Sequence, residues 1–191
     1  MAPTGRSGHS VPVARVRHEL ALVVAVAREQ HARVLLDRRT NHLVDNVCRR
    51  AAAAKLLDLL PDIGVEIETN GTTKAPPRLD VRIDQFNVSP KLSHSGNPAE
   101  LALIEERLDA YATDPRAFFK FVVASEDDVA EAAALVRRHA IPPARVFLMP
   151  EGTDSATLRA REEWLVPLCL DHGFRLSDRL HIHLFGDTRG T

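Results

Sequence analysis

Apolar and polar positions change their period twice along this chain. From residue 13 to residue 37, Val13, Val16, Leu20, Val23, Val24, Ala27, Val34 and Leu35 recur at helical spacing. That spacing predicts a helix whose polar face carries Arg and His. The run Arg38-Arg39-Thr40-Asn41 breaks it. A second helix is predicted over residues 42 to 60, strongest from Ala51 to Leu60, and Pro61 stops it. Beyond Pro61 short apolar runs alternate with helical stretches. Val65 and Ile67 sit between charged neighbours, which predicts a strand over residues 64 to 68. A second strand is predicted over 81 to 88, with Val81, Ile83, Phe86 and Val88 apolar. A helix then begins near Asn97-Pro98-Ala99-Glu100, with Asn97 as its cap and Pro98 in its first turn, and runs to about Ala112. Phe118–Val123 predicts a third strand. Ser125-Glu126-Asp127-Asp128 caps a helix over 126 to 139, with Val129, Ala133 and Val136 on one face. Val146–Met149 predicts a fourth strand, and residues 154 to 173 a long helix that ends at Gly173. Leu180–Phe185 predicts the last strand.

Strands separated by single helices imply βαβ units and a parallel sheet, hence an α/β fold. Right-handed crossovers place every loop that follows a strand on one edge, where such folds bind ligands. Those loops are Thr69-Asn70-Gly71-Thr72, Ser89-Pro90-Lys91, Ala124-Ser125 and Met149-Pro150-Glu151-Gly152, joined by the C-terminal tail. On pattern alone the first of them reads as a surface turn. Its Gly71 is free to take a left-handed conformation, and its Thr hydroxyls can donate or accept.

Composition narrows the function classes. The 191 residues carry a formal net charge of −1 and are 45% hydrophobic, enough for one domain with a buried core. A basic block is absent and so is a long apolar span, so neither nucleic acid nor membrane is expected as a partner. The apolar run from Leu20 to Ala27 is flanked by charges and lacks a small-residue cleavage site, so it does not read as a leader. Two cysteines, Cys48 and Cys169, do not make a disulfide framework, and a cytoplasmic location is expected. Nor can two thiolates hold a cubane iron–sulfur cluster, which takes three or four.

Six short motifs occur in a specific order. They are Glu68-Thr69-Asn70-Gly71-Thr72, Ser89-Pro90-Lys91, Phe119-Lys120-Phe121-Val122, Leu148-Met149-Pro150-Glu151-Gly152, Arg179-Leu180-His181-Ile182-His183 and Gly186-Asp187-Thr188-Arg189-Gly190-Thr191. In that order they resemble the 7-carboxy-7-deazaguanine synthases, the radical S-adenosylmethionine (SAM) enzymes of queuosine precursor synthesis. The resemblance runs from about residue 55 to the end. It implies a partial (β/α) barrel of radical SAM type, usually in a homodimer, that lacks its first βα units here. It also implies SAM on a 4Fe–4S cluster, Mg2+ as an assisting ion, and conversion of 6-carboxy-tetrahydropterin to 7-carboxy-7-deazaguanine. By the same resemblance Thr69 meets the pterin, and Thr191 offers it a carboxylate. Gly71 approaches SAM through its backbone, Ser89, Pro90 and Lys91 form a SAM-binding segment, and Met149, Pro150, Glu151 and Gly152 line SAM more loosely. Met149 departs from the Gln common at that position. Lys91 would pair with a carboxylate of the ligand.

The departures are concentrated in residues 1 to 50. The family carries CxxxCxxC and a Gly-Gly-Glu-Pro segment there, and this chain has neither. Residues 1 to 50 therefore read as an atypical extension, its first dozen residues disordered, and residues 51 to 191 as the C-terminal part of the barrel. The expected chain is a family member not competent by itself. Alternatives are a non-catalytic remnant or dimerisation module, and one half of a split enzyme whose cluster half is encoded separately. A barrel without its first strands is expected to leave an open sheet edge and exposed apolar surface. Among other residues, His181 and His183 would share one face of a strand, but no third zinc ligand stands at a suitable spacing. Cys169 reads as a buried inert thiol, Cys48 as an exposed one, and Trp164 as a core anchor. Glu105-Glu106 and Glu126-Asp127-Asp128 read as solvated helix faces or caps.

Overall fold

The computed structural model describes residues 22–27, 33–35, 63–75 and 77–188. The helix predicted over 42 to 60, Cys48, the first dozen residues and the tail from Arg189 to Thr191 lie outside the described residues. In chain order the strands are β1 (Leu22–Ala27), β2 (Arg33–Leu35), β3 (Ile63–Thr69), β4 (Gln85–Val88), β5 (Ala117–Val123), β6 (Val146–Pro150) and β7 (Arg175–Leu176). The helices are α1 (Pro77–Asp80), α2 (Ala99–Ala102), α3 (Glu105–Thr113), α4 (Glu126–Arg138), α5 (Ser155–His172) and α6 (Leu180–Phe185). The seven strands form one sheet in the order β2-β1-β3-β4-β5-β6-β7. Strands β3 to β7 are mutually parallel, whereas β1 runs antiparallel to both β2 and β3.

The parallel strands form where alternation predicted them, and the alternation decides which way they face. Val65, Ile67, Phe86, Val88, Phe119, Phe121, Val123, Val146 and Leu148 point to one side and are buried. There they meet Leu108 and Tyr111 of α3, Val129, Ala133 and Val136 of α4, and Leu165 and Cys169 of α5. Trp164 and Leu168 pack against the rim of this core, as expected of the first. Helix α4 begins with a capping box: the Ser125 hydroxyl accepts from the Asp128 N–H, and the Asp128 carboxylate accepts from the Ser125 N–H. The long helix α5 closes at Gly173 with φ +69°, a left-handed residue that lets the chain reverse without steric cost. Two arginines staple the end of the sheet at which β4, β5 and β6 begin. Arg116 bonds Asp114 and Asp80 at 2.7 and 2.9 Å and stacks over Phe86. Arg145 donates to the carbonyls of Ala112, Asp114 and Ala117.

Five expectations are corrected. The first predicted helix contains strands β1 and β2, because Leu22–Ala27 is a run of β-branched and small apolar residues that pairs residue for residue with β3, from Leu22 opposite Glu68 to Ala27 opposite Ile63. That pairing also covers the edge of β3, which had been expected to stand open. The strand predicted from residue 81 is only β4; Val81 is 80% exposed, and the short helix α1 and a turn precede the strand. The helix predicted from Asn97 is two pieces, α2 and α3, broken at Leu103-Ile104, and the cap position of α2 is Pro98, with no side-chain bond. Finally, Leu180–Phe185 is helix α6, and the last strand is the two-residue β7. A six-residue apolar run with two histidines has no length by which to separate strand from helix.

Phe121→Ala should cost about 3–5 kcal/mol in denaturant unfolding, because both β5 phenylalanines of the core are fully buried. Asp128→Ala should cost about 1–2 kcal/mol, the loss of a cap. Burial alone would raise the Asp128 carboxyl, but the Ala124 N–H, His94 and the Ser125 N–H together hold it below the usual carboxylate range. A depressed carboxylate stabilises the fold above its unfolded pKa, and that stability is lost as pH falls through the folded value. The acid limb of the stability profile should therefore be shallower in Asp128→Ala than in the wild-type chain.

Candidate functional site

The topology brings the ends of β3, β4, β5, β6 and β7 to one edge, and backbone bonds tie neighbouring loops to each other there. The Ser89 N–H donates to the Thr69 carbonyl at 2.7 Å, the Glu151 N–H to the Val123 carbonyl at 2.8 Å, and the Ser177 N–H to the Leu148 carbonyl at 2.8 Å. The predicted residues Thr69, Gly71, Ser89, Pro90, Lys91, Met149, Pro150, Glu151 and Gly152 all lie on this edge or on the last turn of the strands that feed it. Thr191 lies outside the described residues.

The first loop is internally satisfied. Gly71 has φ +82°, the left-handed conformation expected of it. Its N–H donates to Thr69 Oγ1, and the Asn70 carboxamide oxygen accepts from both the N–H and the hydroxyl of Thr72. Thr69 and Thr72 are buried, and the Tyr111 hydroxyl donates to the Thr73 carbonyl at 2.7 Å. A Cβ on Gly71 would stand 3.0 Å from Val88 Cγ1. The glycine is therefore demanded by packing against β4, in addition to any ligand. Burial pushes the Tyr111 phenol up.

The second loop presents the chemistry. Pro90 and Leu92 are buried and anchor it, while Ser89 and Lys91 stay half-exposed. Further on, the Ser93 N–H and hydroxyl donate to the Glu131 carboxylate, and His94 Nδ1 lies 2.9 Å from Asp128 Oδ1. Both partners belong to α4, so the segment carrying Lys91 is fixed to the helix that follows β5. No carboxylate among the described residues lies within ion-pair distance of Lys91. The fourth loop is held from outside: Arg161 bonds both the Glu151 carbonyl and its carboxylate, and Arg179 donates to the Gly152 carbonyl at 2.6 Å. A Cβ on Gly152 would stand 2.9 Å from Leu158 Cδ2, so α5 approaches this loop on bare backbone.

Two groups of residues escaped the sequence reading. One is the polar part of the second face of the sheet, half-buried beside the paired rings of Phe118 and Phe147. Asn87 bridges Gln85 and Glu66 at 2.8 and 3.3 Å, and Lys120 lies 3.7 Å from Glu68. The charged positions alternating with Val65 and Ile67 were visible, but their partners on β4 and β5 depend on register. The other is a cluster at α6. Because α6 is helical, His181 and His183 stand about 200° apart and do not share a face. His181 is exposed; His183 instead meets Ser155 and Asp178, at 2.9 and 3.2 Å. No helix among the described residues is long and apolar enough to cross a membrane.

No protein-family model matches the chain. Curated relatives do. The 7-carboxy-7-deazaguanine synthase of Pyrobaculum aerophilum is 41% identical over 128 residues, 66% of this chain and 54% of the relative. That of Rhodopirellula baltica is 36% identical over 154 residues, 71% and 57% of the two chains, and that of Halobacterium salinarum 35% identical over 162 residues, 73% and 62%. The chain thus spans less than two thirds of the length of the relatives it matches. Over about two thirds of its own length the chain is a homologue of the 7-carboxy-7-deazaguanine synthases, and the partial match fits a C-terminal portion of such a protein.

Proposed function

We propose that this chain is the ligand-binding portion of a radical SAM barrel of the deazaguanine synthase kind, binding SAM and 6-carboxy-tetrahydropterin but unable to start the reaction alone. The homology to proteins of that name carries the reading. The edge loops give it physical form. Lys91, half-exposed with no acidic partner among the described residues, would pair with the carboxylate of the methionine moiety, and Ser89 beside it would add a hydroxyl. Gly71 and the segment Met149 to Gly152 would flank the same ligand. Thr69 and Thr191 would meet the pterin, Thr69 through the lone pairs its hydroxyl keeps after accepting from Gly71. When bound and reduced, SAM supplies the radical; this chain's own residues would bind it and hold the pterin beside it.

A cubane cluster does not fit the residues present. The sequence holds two cysteines, and Cys169 is buried in α5, where burial pushes its thiol up and away from the thiolate a metal needs. On this reading the cluster ligands come from residues outside the given sequence, for which an intact second copy or a separately encoded half are candidates.

Calorimetry tests the binding half of the proposal. The chain should give saturable heat with SAM, and Lys91→Ala should weaken binding about tenfold or more, the loss of a charge-assisted contact of about 1.5–3 kcal/mol. No measurable heat at millimolar SAM would overturn it. Anaerobic incubation with reductant, SAM and the pterin acid should yield no deazapurine; its accumulation over repeated turnovers without a helper protein would overturn the incompetence.

A further inference from the structure

Glu162 of α5, Asp178 in the turn between β7 and α6, and His183 of α6 bring one ligand atom each to within 4.8 Å of one another. We propose that these three side chains form a binding site for a divalent first-row transition ion such as Zn2+, distinct from the edge loops that would hold SAM. Two features support it. The donors come from three separate segments and converge, and an imidazole with two carboxylates is a set suited to borderline ions. The imidazole is already aimed. Ser155 Oγ lies 2.9 Å from Nδ1, as an outer partner fixes the non-ligating nitrogen in metal sites, and Nε2 faces Asp178 at 3.2 Å.

The site has a structural use. Helix α6 has six residues and buries Ile182, while Leu180, Leu184 and Phe185 are all more than half exposed. Its attachment rests on polar contacts: Arg179 to Gly152, and His183 to Ser155 and Asp178. An ion coordinated by Glu162, Asp178 and His183 would clip α6 to α5 and so fix the chain that leads to the C-terminal tail. Three protein ligands leave a position for water. Mg2+, which prefers oxygen donors and near-octahedral geometry, should bind far more weakly here.

The test uses the full chain stripped with chelator and titrated with Zn2+ by calorimetry, with thermal unfolding alongside. One Zn2+ per chain is expected, with a rise in unfolding temperature that an equal concentration of Mg2+ does not give. Glu162→Gln and His183→Ala should each weaken that site at least tenfold. Ser155→Ala, which removes only the outer partner, should weaken it about tenfold at unchanged stoichiometry. A double Cys48→Ser, Cys169→Ser chain should bind as the wild type does. Failure to take up one Zn2+ per chain, or uptake unchanged in both Glu162→Gln and His183→Ala, would overturn the proposal. Glu162→Gln keeps the length and helix propensity of the native side chain, so its result stands even where His183→Ala disturbs α6.

Discussion

Strict alternation in four parallel strands is the constraint from which the remainder follows. In β4, β5 and β6 every second residue is apolar and buried against one layer of helices, and in β3 Val65, Ile67 and Thr69 are buried on the same side. Shifting β5 by one residue would exchange Phe119 and Phe121 with Phe118 and Lys120, and would carry a lysine into the core. The register is therefore fixed, and with it the height at which each strand ends. Thr69 ends opposite Val88, and Val123 opposite Pro150. The loops after the strands consequently emerge level, close enough for their backbones to bond directly.

The same constraint divides polar chemistry between two places. On the helix-covered side the buried polar groups are largely satisfied by the fold, His139 Nε2 being the exception among the described side chains. Asp128 accepts two backbone N–H groups and meets His94, and Thr69 accepts from Gly71. On the other side Glu66, Glu68, Gln85, Asn87 and Lys120 form a half-buried polar surface that leads up to the ligand edge. Lys91 belongs to neither group. It is held in place by the buried neighbours Pro90 and Leu92 and by the Ser93 and His94 bonds to α4. A cation positioned by its neighbours, with no acidic partner of its own among the described residues, meets an incoming anion without first breaking an ion pair.

Local signals made the parallel core legible in the sequence. The alternation in β5, the Ser125 capping box and the Gly173 stop are each encoded within a few residues, and each forms where expected. What escaped depends on distant partners. Leu22–Ala27 reads as helix by its spacing, and becomes strand because β3 offers an edge to it. Leu180–Phe185 reads as strand by composition, yet β7 takes the last place in the sheet five residues earlier. The edge loops were found because topology alone groups them. The Glu162, Asp178 and His183 cluster was not, because its members lie up to 21 residues apart and meet only once α6 is known to be a helix folded back on α5.

Binding an anion and holding a metal cluster make different demands on one edge. A fixed cation and open backbone serve the first, and the loops after β3 and β4 carry the left-handed Gly71 and the half-exposed Lys91. A cubane cluster takes three or four thiolates, and Cys169, in the last turn of α5, is buried in the core with Leu165. On the proposed reading the described residues would supply the binding half, and the thiolates would have to come from elsewhere and meet the edge at which β3 to β7 end.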